Sequence, residues 1–200
     1  MRRKRRNIVI VASGPSVRAV RRDDILAAGA VVIAVNGAID WLGRADYWFT
    51  LDPSQINLVR ANNRVSGCKY VMALPDNMQA PPGVTRMVRY QGDAYGKARA
   101  LLGLSEDKNA IHTGNSAFGA LGLAYHLRPR RIVLLGVDGT RERRVDGGYS
   151  RTLEHLPALF TSAIPQLQKR RISVVNGSPD SRVTCFPRMT PQEALCWLKS

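Results

Sequence analysis

Five short apolar runs mark the chain, and each ends in a small or polar residue. Ile8 to Val11 runs into Ala12-Ser13-Gly14, Val31 to Val35 into Asn36, Tyr47 to Leu51 into Asp52, Ile132 to Val137 into Asp138, and Ile172 to Val175 into Asn176. The runs are nearly continuous in Val, Ile and Leu, as parallel strands covered on both faces should be, and stretches of helical character separate several of them. Side by side in one parallel sheet, Ser13, Asn36, Asp52, Asp138 and Asn176 fall on the carboxyl edge, where open α/β sheets bind their ligands. Polar residues end strands in any protein. The coincidence of several endings, rather than any one of them, points to a nucleotide or phosphate site.

The pattern predicts strand 7 to 12, helix 16 to 28, strand 31 to 36, a short helix 37 to 43, strand 46 to 51, helix 53 to 63 and strand 69 to 74. An irregular Pro- and Gly-rich stretch follows from Pro75 to Asn109, with a candidate strand at Thr85 to Tyr90. Then come helix 115 to 127, strand 131 to 137, an Arg- and Gly-rich loop to Ser150, helix 152 to 170, strand 172 to 175 and helix 191 to 198. Strands alternating with helices make an α/β protein: a single Rossmann-like three-layer domain with a mostly parallel sheet over 7–200, behind a basic arm at 1–6. A length of 200 residues suits one such domain.

Two turns have the chemistry of anion loops. Ser13-Gly14-Pro15-Ser16 joins the first strand to the first helix; Gly14 lets the backbone approach a ligand, Pro15 suits a first helical turn, and Ser13 or Ser16 can cap it. Thr113-Gly114-Asn115-Ser116 opens a helix that feeds the strand at Ile132. A helix feeding a parallel strand begins at the carboxyl edge, so the second turn should face the first across the crevice, with two helix N-termini toward one anionic ligand. Ordinary capped turns would have the same residues. Gly119 and Gly122, inside the second helix, suit close packing on the sheet.

Composition narrows the classes. No apolar run approaches the roughly 20 residues of a membrane span, and the basic head Arg2-Arg3-Lys4-Arg5-Arg6 is followed by a run that stops at Ser13-Gly14-Pro15 without a cleavage site. The expectation is a soluble, cytoplasmic protein. Cys68, Cys185 and Cys196 are widely spaced and fit neither a disulfide framework nor a zinc site. With histidine only at 112, 126 and 155, no metal site is expected. The net charge of +15 is carried by clusters at Arg2 to Arg6, Arg18 with Arg21-Arg22, Arg128 with Arg130-Arg131, Arg141 with Arg143-Arg144, and Lys169-Arg170-Arg171, a field that attracts nucleic acid or another polyanion. No aromatic residues interleave them to stack bases.

The motifs, taken in order, resemble a known group. Ala-Ser-Gly-Pro-Ser-Val at 12–17, Ala-Val-Asn at 34–36, Ala-Asp-Tyr-Trp-Phe-Thr-Leu-Asp-Pro at 45–53, Thr-Gly-Asn-Ser-Ala-Phe-Gly-Ala-Leu-Gly-Leu-Ala at 113–124, Ile-Val-Leu-Leu-Gly-Val-Asp-Gly at 132–139 and Val-Asn-Gly-Ser-Pro-Asp-Ser at 175–181 look like small bacteriophage and prophage proteins. These in turn resemble bacterial sialyltransferases that use a CMP-activated sugar, and 6-hydroxymethylpterin diphosphokinase-like proteins. The resemblance implies a glycosyltransferase-like enzyme that takes a nucleotide-sugar donor and transfers the sugar to a hydroxyl acceptor, with no further cofactor. It implies nucleotide contacts at Gly14, Pro15, Ser16, Asn36, Thr113, Gly114, Asn115 and Ser116, to which the strand-edge pattern adds Ser13 and Asp52. The family's catalytic base is a histidine beyond the Gly-x-Asp strand, and His155 is the histidine of that interval. The phage relatives carry more His and Trp there than Gly147 to His155 does. On chemistry alone a histidine suits deprotonation of an acceptor hydroxyl near neutral pH. Asp138 could assist catalysis, orient a ribose or cap a loop, and His112 could assist with a phosphate, whereas His126, late in a helix, suits a structural role. Two alternatives remain: an ATP- and magnesium-dependent diphosphokinase, and a non-catalytic phage protein that binds DNA or another polyanion.

Overall fold

Strands buried on both faces need neighbours on both sides and helices above and below. The computed structural model of the chain, which describes residues 6–149 and 153–200, provides both. The strands are β1 (Ile8–Val11), β2 (Val31–Val35), β3 (Tyr47–Thr50), β4 (Lys69–Leu74), β5 (Thr85–Tyr90), β6 (Ala110–His112), β7 (Arg131–Leu135) and β8 (Ser173–Asn176). They form one sheet in the order β6-β5-β4-β3-β2-β1-β7-β8, every pairing parallel. The helices are α1 (Arg22–Leu26), α2 (Ala38–Leu42), α3 (Gln55–Asn62), α4 (Ser116–Leu127), α5 (Leu156–Thr161), α6 (Ile164–Lys169) and α7 (Pro191–Lys199). Residues 1–5, most of the basic arm, and 150–152 lie outside the described residues.

The two-residue period of each strand divides the core in two. Ile8, Ile10, Ile33 and Phe49 pack with Leu121 of α4 and Leu159 of α5, whereas Val9, Val11, Trp48 and Met72 pack with Ile39 of α2 and Leu195 of α7. Each fully buried side chain of this size contributes about 1.5–3 kcal/mol. Helix α4 is buried continuously from Ala117 to Tyr125. A Cβ on Gly119 would stand 2.8 Å from the Phe49 ring, so this glycine sets how closely the helix approaches the sheet. Among the described residues no helix is long and apolar enough to cross a membrane.

The elements depart from the sequence pattern in three places. The expected helix at 16 to 28 is a five-residue 3-10 turn, Pro15–Ala19, an extended step at Val20 and Arg21, and then α1. One continuous helix would align Arg18, Arg21 and Arg22 at i, i+3 and i+4, where like charges repel; Val17 and Val20 are both buried in the broken form. The expected helix at 152 to 170 is split into α5 and α6, because Pro165 has no N–H for a continuing helix and restricts the residue before it. The stretch from 75 to 109 does contain the strand at 85 to 90, but the sheet continues one strand further, through three-residue β6, too short for any period to reveal.

Candidate functional site

The chain winds outward from β1 to β6 and then returns to lay β7 on the other side of β1. That reversal is the switch point at which open α/β sheets form their ligand crevice. Here the backbones that leave β1 and β7 nearly touch. The Ala12 N–H donates to the Leu135 carbonyl at 2.8 Å and the Gly14 N–H to the Gly136 carbonyl at 2.9 Å. A Cβ on Gly14 would lie 2.4 Å from the Gly136 oxygen, and one on Gly136 2.4 Å from the Ala12 oxygen. Gly14 is therefore required by the protein's own backbone before any ligand is considered. Gly136, at φ +67°, is needed equally and was not singled out by the sequence pattern.

The first turn already holds an anion, and it is Asp138. The Ser16 N–H donates to Asp138 Oδ2 at 2.8 Å, the Ser16 hydroxyl donates to Oδ1, and the same hydroxyl lies 2.8 Å from the Ser178 hydroxyl. The Val17 N–H is taken by the Gly14 carbonyl. With Pro15 lacking an N–H, the short helical turn has its amides satisfied internally.

The second turn opens a full helix. The Asn115 side chain accepts from the Ala117 N–H at 2.8 Å and caps α4, while the other first-turn amides, at Ser116 and Phe118, have no partner one turn back. Asn115, Ser116 and Ala117 line a cleft of about 110 Å³ together with Ser13, Gly14, Pro15, Asn36 and Asp138. Asn36 sits at φ +51°, its carbonyl accepting from Trp48 Nε1 at 2.8 Å and its Oδ1 from the Thr50 hydroxyl at 2.6 Å. The Thr50 bond orients the carboxamide, and among the described residues no acceptor takes its Nδ2.

Other candidates stand behind or beside the cleft. Thr113 is sewn into the backbone by bonds to Tyr90 and Leu101. Buried His155 donates from Nε2 to the Gly114 carbonyl at 3.2 Å under the Tyr95 ring, so it reaches the second turn although Leu153 and Leu156, not His155 itself, line the cleft. Asp52 is exposed, and its Oδ1 accepts from the Ser54 N–H at 3.1 Å. Asn176 is fully buried and donates to the Val183 carbonyl; it shares the edge but not the cleft. His112 Nδ1 lies within hydrogen-bond reach of the Leu102 and Gly103 carbonyls, and His126 Nε2 of the Ala110 carbonyl, the latter with its pKa lowered by burial. Both serve local structure.

Sequence reasoning missed the loop after β7 as a wall of the site. The Val145 N–H donates to the Ser13 carbonyl at 2.9 Å, and Glu142 and Arg144 line the cleft. Arg144 pairs with Asp146 at 3.0 Å, and Asp146 packs so close to Gly37 that a Cβ there would lie 2.4 Å from its carboxylate. Arg89, near the carboxyl end of β5, was also missed. Its Nη1 donates to the Leu51 carbonyl at 2.6 Å, burial lowers its pKa against the opposing pull of Asp52, and its Nε has no partner among the described residues. Among the described residues no three of His, Cys, Asp and Glu gather as a metal-binding group.

No family model matches the chain, and no curated protein matches it in sequence. In three dimensions it is similar to the sialyltransferase CstII from Campylobacter jejuni, solved in complex with the substrate analogue CMP-3FNeuAc. The TM-score is 0.50 at 13% identity, over 93% of this chain and 86% of that one. The likeness is one of fold: the two proteins share an α/β architecture.

Proposed function

We propose that this chain is a glycosyltransferase-like enzyme that binds a nucleotide-activated sugar of the CMP type and transfers the sugar to a hydroxyl acceptor. The observation that carries the reading is the cleft at the switch point, where the N-terminus of α4 and the fixed carboxamide of Asn36 face each other across the β1 turn. The Ser116 and Phe118 amides and the positive end of the helix receive the donor phosphate. Asn36 Nδ2 donates to the nucleoside, and Ser13, Gly14 and Pro15 form the wall against which it lies. Ser16 and Asp138 hold that wall in shape, so Asp138 acts as a positioning residue through Ser16. Thr113 and Gly114 set the approach of α4, and Asp52 flanks the opening.

In the transfer step the acceptor oxygen forms a bond to the anomeric carbon while the bond from that carbon to the phosphate oxygen breaks. The electron pair leaves with the nucleoside phosphate. Arg144 and the α4 amides stabilise that developing charge. The acceptor proton passes to His155, and because the carbonyl of Gly114 can only accept, Nε2 carries the hydrogen and Nδ1 is the nitrogen that receives it.

The test is a thermal-shift panel of CMP, CDP, UDP, GDP, ATP and their sugar conjugates, with and without magnesium. A ligand at a hundredfold its Kd adds about 2.7 kcal/mol, and CMP or a CMP-sugar should raise Tm by about 5–10 °C for a domain of this size. A rise with ATP and magnesium alone would move the assignment to phosphoryl transfer, and no rise with any nucleotide would remove the site. With a donor in hand, His155→Ala should leave its affinity intact and lower transfer by about 10²- to 10⁴-fold.

A further inference from the structure

The basic clusters at Arg128 to Arg131 and at Lys169 to Arg171 are far apart in sequence, but each lies immediately before a strand, β7 and β8, as Arg6 lies before β1. Because β1, β7 and β8 are consecutive in the sheet, all three clusters meet at its amino edge, opposite the nucleotide cleft. There they line a groove of about 1640 Å³ with Lys199 at the end of α7. Among the described residues no acidic side chain lines it. Arg131 is held by the Trp197 carbonyl and ring, and Arg170 by Glu106 and the Tyr125 ring. Arg6, Arg128, Arg130, Lys169, Arg171 and Lys199 have no ion pair among the described residues.

A second feature sets this edge apart. Arg128, which caps α4, and Arg171, just after α6, both adopt φ +54°, the left-handed conformation that favours glycine after a helix. Two arginines stand where glycine would relieve strain, and both point their charge to the same groove.

We propose that this amino-edge groove binds the phosphate backbone of a nucleic acid. A concave channel suits a linear polyanion better than a flat membrane surface, and none of the exposed large apolar side chains lines it to insert into lipid. Among the described residues no exposed aromatic ring lines it for base stacking, so recognition is of phosphates and tolerant of sequence. The groove is independent of the nucleotide cleft, and each can fail without the other.

The test uses the full chain and a fluorescent duplex of about 20 base pairs, with the dissociation constant measured across a salt series. Six unpaired cations, each meeting one phosphate, give a slope of log affinity against log salt of about −5. Arg128→Gly with Arg171→Gly should fold at least as well as the parent, since glycine suits both positions. It should reduce the slope by about two and weaken binding roughly ten- to hundredfold at about 0.1 M salt. Arg143 and Arg182 lie in the loops that leave β7 and β8 at the carboxyl edge; Arg143→Ala with Arg182→Ala removes the same charge there and should change binding by less than about threefold. The proposal is overturned if the duplex does not bind at low salt, if the two pairs of substitutions weaken it equally, or if the protein binds phosphatidylglycerol vesicles and not the duplex.

Discussion

The turn after β1 and the turn before α4 carry similar residues, Ser13-Gly14-Pro15-Ser16 and Thr113-Gly114-Asn115-Ser116, and face one cleft, but they direct their hydrogen bonds differently. The first is closed: its amides go to Gly136, Asp138 and Gly14, and its short helical turn ends after Ala19. The second leads into a twelve-residue helix in which Asn115 caps the Ala117 amide, and its other first-turn amides have no carboxylate brought to them among the described residues. Small polar residues beside a glycine therefore do not identify an anion site. What decides is whether the protein brings its own carboxylate to the amides, as Asp138 does from a position 122 residues away.

Substitutions at three positions test that contrast. The largest effect belongs to Gly136→Ala, which meets both left-handed strain and a main-chain oxygen at 2.4 Å; the expected loss is about 3–5 kcal/mol in urea denaturation, and a loss under about 1 kcal/mol would mean the closed turn can open. Asp138→Asn removes the charge but keeps the shape. It should cost about 1.5–3 kcal/mol in urea denaturation. Asp138→Ala vacates the place instead, and millimolar phosphate should then raise Tm more in that variant than in the parent; equal responses would break the idea that Asp138 fills an anion site. The smallest stability effect is at the open turn, where Asn115→Ala should lose about 1 kcal/mol with the cap. Asn115→Asp restores the cap and favours the helix dipole, so stability should return while nucleotide affinity falls at least about tenfold from repulsion of the phosphate. Recovery of both would place the phosphate elsewhere.

Much of the fold was legible because a parallel sheet covered on both faces leaves apolar runs in the sequence, and their ends mark its carboxyl edge. That reasoning brought Asn36 and Asp138 to one cleft. It could not separate Asn176, turned inward to Val183, from Asn36, turned outward, since strand ends alone carry no side-chain direction. Helix periodicity misread 16 to 28 because apolar spacing is blind to arginines that would stack on one face. The basic clusters were visible, but their convergence depends on β7 lying beside β1, and so does the Gly14–Gly136 contact.

The strand order also fixes when this protein can become competent. Strands β1 to β6 occupy consecutive places in the sheet, so a chain emerging from the ribosome can pair each new strand with the one before it. The cleft wall and the amino-edge groove both wait for β7, whose pairing with β1 closes a loop of more than a hundred residues. Folding that proceeds from the N-terminus therefore makes the scaffold first and the cleft and the groove last. A chain arrested before Arg131 would present an unpaired flank of β1 to its neighbours, the exposed edge that drives aggregation, instead of a partly working site.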